Sequence, residues 1–369
     1  MEKRKRARDI GIDVGVLPTG PLNAITDVSG VRVGHTTLIK GNTIRTGITA
    51  ILPHDGNLYQ EKAPAAISVA NGFGKLAGYT QVDEVGTIET PILLTNTLSV
   101  GTAMTAAVKY TIAQPGNEDA ISINAVIGEI NDGYLNDIRG LHVREEDVLA
   151  AITSAKSGMV TEGCVGAGTG ASALRYKSGV GTASRVVRLG PRRSYMISVL
   201  VLPNYAGLLS INGAPIGREL GQPDLPRDDK KEAGSCIILI ATDAPLSAKD
   251  LKRLARRAFH GLARTGSFMT HGSGDYAIAF STAYRIPHSF SSRPVAVPAT
   301  LVSSAMTPFF QAIIEVTEEA VYNSLLMATT MSGKNGRVIP ALNIVDTLEV
   351  CARYNVLNMS ERLNHHKKR

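Results

Sequence analysis

Ser235 opens a strongly apolar, β-branched stretch, Ser235-Cys236-Ile237-Ile238-Leu239-Ile240-Ala241-Thr242. The residues before it, 213–234, are dense in Gly, Pro and charge and carry no apolar periodicity. Such a composition marks an exposed connection, either a linker or a processing loop. On local sequence alone, Ser235 is an ordinary turn residue before a buried strand. The chemical alternative has a physical basis. If the Gly234–Ser235 bond is cut, Ser235 gains an α-amine with a pKa of about 7.7–8.0. A base near neutrality can take the proton of the neighbouring hydroxyl as it attacks a carbonyl. Gly234 would let the backbone reach conformations that a Cβ forbids, and the strand would hold the nucleophile rigidly.

Further polar groups stand where they could serve such a nucleophile. In Thr270-His271-Gly272-Ser273-Gly274-Asp275, Ser273 and Asp275 are two residues apart. On an extended chain they point the same way, a hydroxyl and a carboxylate able to relay or orient a proton. His271 also admits a Ser-His-Asp reading, but nothing else in the sequence positions it. The run Gly128-Glu129-Ile130-Asn131-Asp132-Gly133-Tyr134 follows an apolar strand. Loops leaving central strands collect binding groups. Glu129 could hold a substrate ammonium, and Tyr134 could donate to an oxyanion. Asn204, at the end of another strand, offers a second donor.

The elements that must carry these residues are legible as alternating strands and helices. Strands are predicted at 31–33, 48–52, 66–70, 92–95, 121–127 and 196–202, from short Ile- and Val-rich runs bounded by turn residues. Helices are predicted at 99–112, 145–157 and 248–264. In the last, Leu251, Leu254, Ala255, Ala258, Phe259 and Leu262 make one apolar face, with Ser247 as its cap. Its opposite face, with Lys252, Arg253, Arg256, Arg257 and His260, reads as a solvated surface.

Bulk composition excludes several function classes. The formal net charge of +7 on 369 residues is outweighed by two terminal runs. Residues 1–8 hold five bases against Glu2, and residues 362–369 hold four. Basic ends that fray into solvent do not make a nucleic-acid face, and aromatics are only 5% of the chain. No apolar stretch is long enough for a membrane span or a signal peptide. Cys164, Cys236 and Cys351 have neither disulfide nor metal-ligand spacing, so a reducing cytoplasm is the expectation. The glycine-rich runs at 72–76 and 163–170 lack the Lys-Ser/Thr of a phosphate-binding loop. No cofactor or metal is expected.

Several motifs, in order, resemble the L-aminopeptidase/D-esterase and β-peptidyl aminopeptidase family. They are Leu17-Pro18-Thr19-Gly20-Pro21-Leu22-Asn23-Ala24, Asn71-Gly72-Phe73-Gly74-Lys75-Leu76-Ala77-Gly78, Thr95-Asn96-Thr97-Leu98-Ser99, Asn131-Asp132-Gly133-Tyr134-Leu135-Asn136-Asp137, and Gly234-Ser235 with its strand. The resemblance implies a four-layer α/β/β/α sandwich, similar to N-terminal-nucleophile hydrolases but with different connectivity. It implies one domain cut by itself into an α chain, 1–234, and a β chain, 235–369. It further implies Ser235 as nucleophile, activated by Ser273 and Asp275. Asn204 and Tyr134 would serve the carbonyl oxygen, and Glu129 with Asn131 the free amine. The implied substrates are small peptides, amides or esters, and the implied assembly is a tetramer of processed heterodimers. Two departures stand out: Asp275 replaces a Glu, and Cys236 replaces an aliphatic residue, here read as a small hydrophobe. An acyl transferase of the ornithine acetyltransferase type and an uncut binding protein are the alternatives, the first weakened by Ser in place of Thr at 235.

Overall fold

The computed structural model describes residues 4–223, 233–288 and 301–366. Residues 224–232, most of the loop before Ser235, lie outside the described residues, as do 289–300 and the ends 1–3 and 367–369. The longer strands are β1 (Arg32–Lys40), β2 (Ile44–Leu52), β3 (Glu61–Gly72), β4 (Ile92–Asn96), β5 (Val126–Ile130), β6 (Gly181–Arg188), β7 (Ser194–Asn204), β8 (Ala233–Thr242) and β9 (Gly272–Ser281). The longer helices are α1 (Val100–Ile112), α2 (Glu145–Thr153), α3 (Ala248–Arg264), α4 (Thr307–Leu326) and α5 (Ile344–Arg353).

Two sheets form. The smaller has the order β1-β2-β4-β5, and the larger runs β3-β9-β8-β7-β6. Alternate strand positions point to opposite faces, so each sheet supplies two cores. Ile51, Leu94, Val126 and Ile130 of the smaller sheet meet Ile67, Leu202, Ile237 and Leu239 of the larger one. The outer face of the smaller sheet packs Ile48, Ala50 and Leu93 against Ala103, Ala107 and Val148 of α1 and α2. The outer face of the larger sheet packs Val199, Ile238 and Ala277 against Leu254, Phe259, Ile313 and Val316 of α3 and α4. Three apolar seams between four layers give the expected α/β/β/α sandwich. β7 and β8 are buried on both faces, which explains their near-continuous apolar runs.

The predicted strand at 121–127 begins only at Val126 and extends to Ile130. Ile121 is 99% exposed. Glu89 takes hydrogen bonds at 2.8 Å from both the backbone N and Nδ2 of Asn124, so this part of the chain is tied to a carboxylate instead of a ladder. Helix α3 forms as predicted, with Ser247 Oγ accepting from Asp250 N at 3.2 Å. Its basic face is less solvated than expected. The Arg257 and Arg253 guanidiniums lie 3.6 and 5.1 Å from the Phe310 ring centre, and Lys252 pairs with Asp83.

The N-terminal basic run corrects the expectation of a frayed tail. Arg4 donates to the carbonyls of Leu326 and Leu342 at 2.6 and 3.1 Å. Arg6 pairs with Glu162 at 2.7 Å and donates to the Thr182 carbonyl at 2.7 Å. Arg8 pairs with Glu319 at 3.0 Å. Glu319 and Glu315, both on α4, also hold the fully buried Arg185 at 2.6 and 3.2 Å. Val16 N and Leu17 N close on Glu315 at 3.1 Å. The N-terminal segment is thus laced to a helix near the other end of the chain. Arg185→Met removes the buried cation that two buried carboxylates share. It is expected to cost about 3–5 kcal/mol in urea unfolding. Adding Glu319→Gln to that variant should recover part of the loss. An unchanged midpoint in the single variant would show that the lattice is inert.

Candidate active site

Ser235 sits near the start of β8, between β7 and β9. The antiparallel register with β7 sets Asn204 opposite it. Asn204 Nδ2 donates to Ser235 Oγ at 3.3 Å and to the Asn131 carbonyl at 3.1 Å. Asn204 Oδ1 accepts from Ser172 N at 3.0 Å. That backbone donor fixes which end of the amide faces the serine.

The parallel register with β9 pairs Gly234 with Ser273, Ser235 with Gly274 and Cys236 with Asp275. By alternation, Ser235 shares a face with Ile237 and Leu239, toward the smaller sheet. Ser273 and Asp275 share the other face with Cys236 and Ile238, toward the helices. The pair therefore lies beneath the Gly234–Ser235 peptide, not beside the Ser235 hydroxyl. A Cβ built on Gly234 would stand 2.9 Å from Ser273 Oγ. Gly234 is needed for that close approach. It lies in strand β8 and has no positive φ, so the freedom expected of it from sequence is not what the fold uses.

Ser273 Oγ donates to Asp275 Oδ1 at 3.0 Å, and both residues are fully buried. Burial pushes the Asp275 carboxyl up to about 6, with the Ser273 hydrogen bond opposing the shift. Asp275 Oδ2 is buried and has no hydrogen-bond partner among the described residues. Asn71 holds the turn before the pair, donating from Nδ2 to the carbonyls of Thr270 and His271 at 2.9 and 3.0 Å and also to that of Ser273. Burial pushes the Cys236 thiol well up, and Asp275 adds to the shift. A thiol kept protonated in a core is inert. His271 is exposed, its ring 6.1 Å from that of Phe73.

A pocket of about 320 Å³ is lined by Ser235 together with Phe73, Gly74, Lys75, Thr97, Glu129 and Asn131. Glu129 is buried, and its Oε1 accepts from Lys75 N at 3.0 Å. Burial raises its pKa, while the Lys75 backbone N–H and ammonium and the Thr97 hydroxyl lower it. Asn131 is exposed, and its Oδ1 accepts from Gly133 N at 3.0 Å. Tyr134 is not brought to this pocket. It is 53% exposed, with the Arg337 guanidinium 4.7 Å from its ring centre. Tyr276 stands close to Glu129. A Cβ on Gly74 would stand 3.1 Å from both the Tyr276 hydroxyl and Glu129 Oε1.

Lys75 and Thr97 line the pocket and Tyr276 stands beside Glu129; motif reading gave none of the three a role. Among the described residues no cluster of His, Cys, Asp or Glu could hold a metal ion, and no helix is long and apolar enough to cross a membrane.

The arrangement is a strand-borne serine, an amide donor at its oxygen, a buried hydroxyl–carboxylate pair under the preceding peptide, and a carboxylate facing the pocket. Residues 23–339 match peptidase family S58. The chain is 38% identical over 376 residues to the β-peptidyl aminopeptidase BapA of Sphingosinicella microcystinivorans, covering 95% of this chain and 93% of that one. It is similar to the PH0078 protein of Pyrococcus horikoshii OT3, at 45% identity and a TM-score of 0.89 over 95% of this chain and 99% of that one. It is also similar to the L-aminopeptidase D-Ala-esterase/amidase of Ochrobactrum anthropi, described as a prototype serine aminopeptidase with a variant Ntn hydrolase fold. That similarity is 36% identity and a TM-score of 0.88 over 95% of this chain and 99% of that one. The chain belongs to peptidase family S58 and is a hydrolase of the serine aminopeptidase type.

Proposed function

We propose that the chain cuts itself between Gly234 and Ser235 and then releases N-terminal residues from small peptides, amides or esters. The observation that carries this reading is the placement of Ser273 and Asp275 under the Gly234–Ser235 peptide, with Ser235 Oγ on the opposite face. In the cutting step, Ser235 Oγ attacks the Gly234 carbonyl carbon. The C–N bond breaks, and the nitrogen takes up a proton. Water then hydrolyses the ester, leaving a Gly234 carboxylate and a free Ser235 amine.

That amine now faces the pair that had faced the peptide. Ser273 Oγ, held by the Asp275 carboxylate, positions it to take the Ser235 hydroxyl proton during substrate attack. Asn204 Nδ2, already directed at the serine oxygen, donates to the oxyanion as it forms. The acyl-enzyme passes to water and the released amine takes the proton.

Glu129 recognises the free substrate amine, as a buried carboxylate lining the same pocket as the nucleophile. The naming of the BapA relative as a β-peptidyl aminopeptidase supports β-linked as well as α-linked N-terminal residues. The volume over Ser235 suits a small acyl residue. A panel of aminoacyl amides with free and acetylated amines tests this. Free-amine substrates are expected to be favoured about 10- to 100-fold in kcat/KM, the worth of a charge-assisted hydrogen bond. Glu129→Gln should erase most of the preference, chiefly through KM. Equal hydrolysis of blocked substrates would remove Glu129 from this role.

A further inference from the structure

We infer that the site prefers an N-terminal residue carrying a carboxylate on the same carbon as its amine, which is a β-linked aspartyl (isoaspartyl) residue. The inference rests on the aminopeptidase reading of Ser235 and Glu129 and sharpens its substrate class. Its basis is Lys75, whose ammonium shares the pocket with Glu129. Lys75 Nζ stands 3.9 Å from Glu129 Oε1, with its side chain 57% exposed. A closed ion pair is about 2.7–2.9 Å long, so these two charges are neighbours that have not collapsed together. Lys75 Nζ donates instead to Thr97 Oγ1 at 2.8 Å, while Glu129 takes the Lys75 backbone N–H.

A substrate ammonium bound to Glu129 meets this second cation. A neutral N-terminal residue sets its own ammonium beside Lys75, like charge against like. A carboxylate on the amine-bearing carbon removes the conflict. The substrate ammonium then faces Glu129, the substrate carboxylate faces Lys75, and four charges alternate in sign around the pocket. In an α-linked residue the amine-bearing carbon carries the scissile carbonyl itself, so it has no free carboxylate there. In a β-aspartyl residue that carbon carries the free carboxylate, and the scissile carbonyl is one methylene away, within the reach of a small pocket. A γ-glutamyl residue needs one methylene more. The reaction is the one already described. Ser235 Oγ bonds to the side-chain carbonyl carbon, the amide C–N bond breaks, the leaving amine takes a proton, and water releases free aspartate.

The test compares β-aspartyl, β-alanyl, α-aspartyl and γ-glutamyl substrates with one leaving amine, on wild type, Lys75→Met and Lys75→Arg. In wild type, β-aspartyl is expected to give the highest kcat/KM of the four. Lys75→Met should lower the β-aspartyl to β-alanyl ratio about tenfold or more, the worth of one charge-assisted hydrogen bond. Lys75→Arg, which keeps the charge, should restore most of that ratio. A ratio unchanged in Lys75→Met, or a wild type that cuts β-alanyl but not β-aspartyl substrates, overturns the inference and leaves the aminopeptidase reading standing. Hydrolysis of none of the four, while an alanyl amide is still cut, overturns the inference alone; an alanyl amide left uncut as well tells against the roles given to Ser235 and Glu129.

Discussion

Ser235→Ala is expected to run as a single chain of 39.1 kDa on a denaturing gel, where the wild type runs as fragments 1–234 and 235–369. The same change should lower hydrolysis of aminoacyl amides by about four to six orders of magnitude, the scale on which hydrolases lose a nucleophile. Both effects trace to one oxygen. Without Oγ nothing attacks the Gly234 carbonyl, and no α-amine is generated. Alanine deletes only that atom from a residue whose backbone is laddered on both sides, so the fold should persist. Intact-mass measurement locates the junction, and a thermal melt separates loss of chemistry from loss of fold. A wild-type chain that stays whole while fully active would end the self-cleavage proposal. A cut Ser235→Ala chain would show that the hydroxyl is not what cuts it.

The second large effect is expected at Asp275. Asp275→Asn should lower kcat by about 10²–10⁴, the usual contribution of a positioned acid–base group. It should also change the shape of the pH profile. In wild type three groups must lose protons before the site works: Asp275, which burial pushes up to about 6 in the uncut chain, Glu129, which burial also raises, and the Ser235 amine, near 7.7–8.0 in an open chain. On the acid side, log kcat/KM of the asparagine variant should therefore rise less steeply than that of wild type, by a slope of one. A variant as steep as wild type would place the acidic group elsewhere.

Stability moves the other way. The folded Asp275 carboxyl holds its proton more tightly than the unfolded one. Its contribution is full below about pH 4 and is lost as pH rises through about 6. At neutral pH the buried anion is a cost that asparagine lacks, so the inactive variant should melt no lower than wild type.

Much of the fold could be read from the chain because its elements are locally consistent. The apolar face of α3 and its Ser247 cap were plain in the spacing, and so was the run from Ile237 to Ala241. The expectation at 121–127 failed because Ile121 and Ile123 resemble strand residues, whereas Glu89 captures Asn124 from a different part of the chain. The lattice around Arg185 was hidden for the same reason. Its partners lie more than a hundred residues away, and a basic N-terminal run looks solvated until the acids of α4 are seen.

At the site, residue types pointed to Ser235, Ser273, Asp275, Asn204 and Glu129 as candidates. The division of Ser235 and Asn204 from Ser273 and Asp275 between the two faces of the larger sheet depended on strand register, which no single segment encodes. Lys75 escaped notice because its meaning comes from Glu129, 54 residues on.

The strand order of the larger sheet governs the fate of the chain after self-cleavage. Its two inner strands, β8 and β9, come after Ser235 or begin beside it, whereas β3 on one flank and β7 and β6 on the other come before it. The pieces of a cut chain would be interleaved rather than docked, each completing hydrogen bonds that the other leaves open. Unfolding would then also be dissociation, and its midpoint would depend on protein concentration. Refolding would require two chains to meet, where the precursor needed only one. Maturation would thus trade a reversible folding equilibrium for persistence set by the unfolding barrier, so that a working molecule lasts by unfolding slowly and is not easily remade.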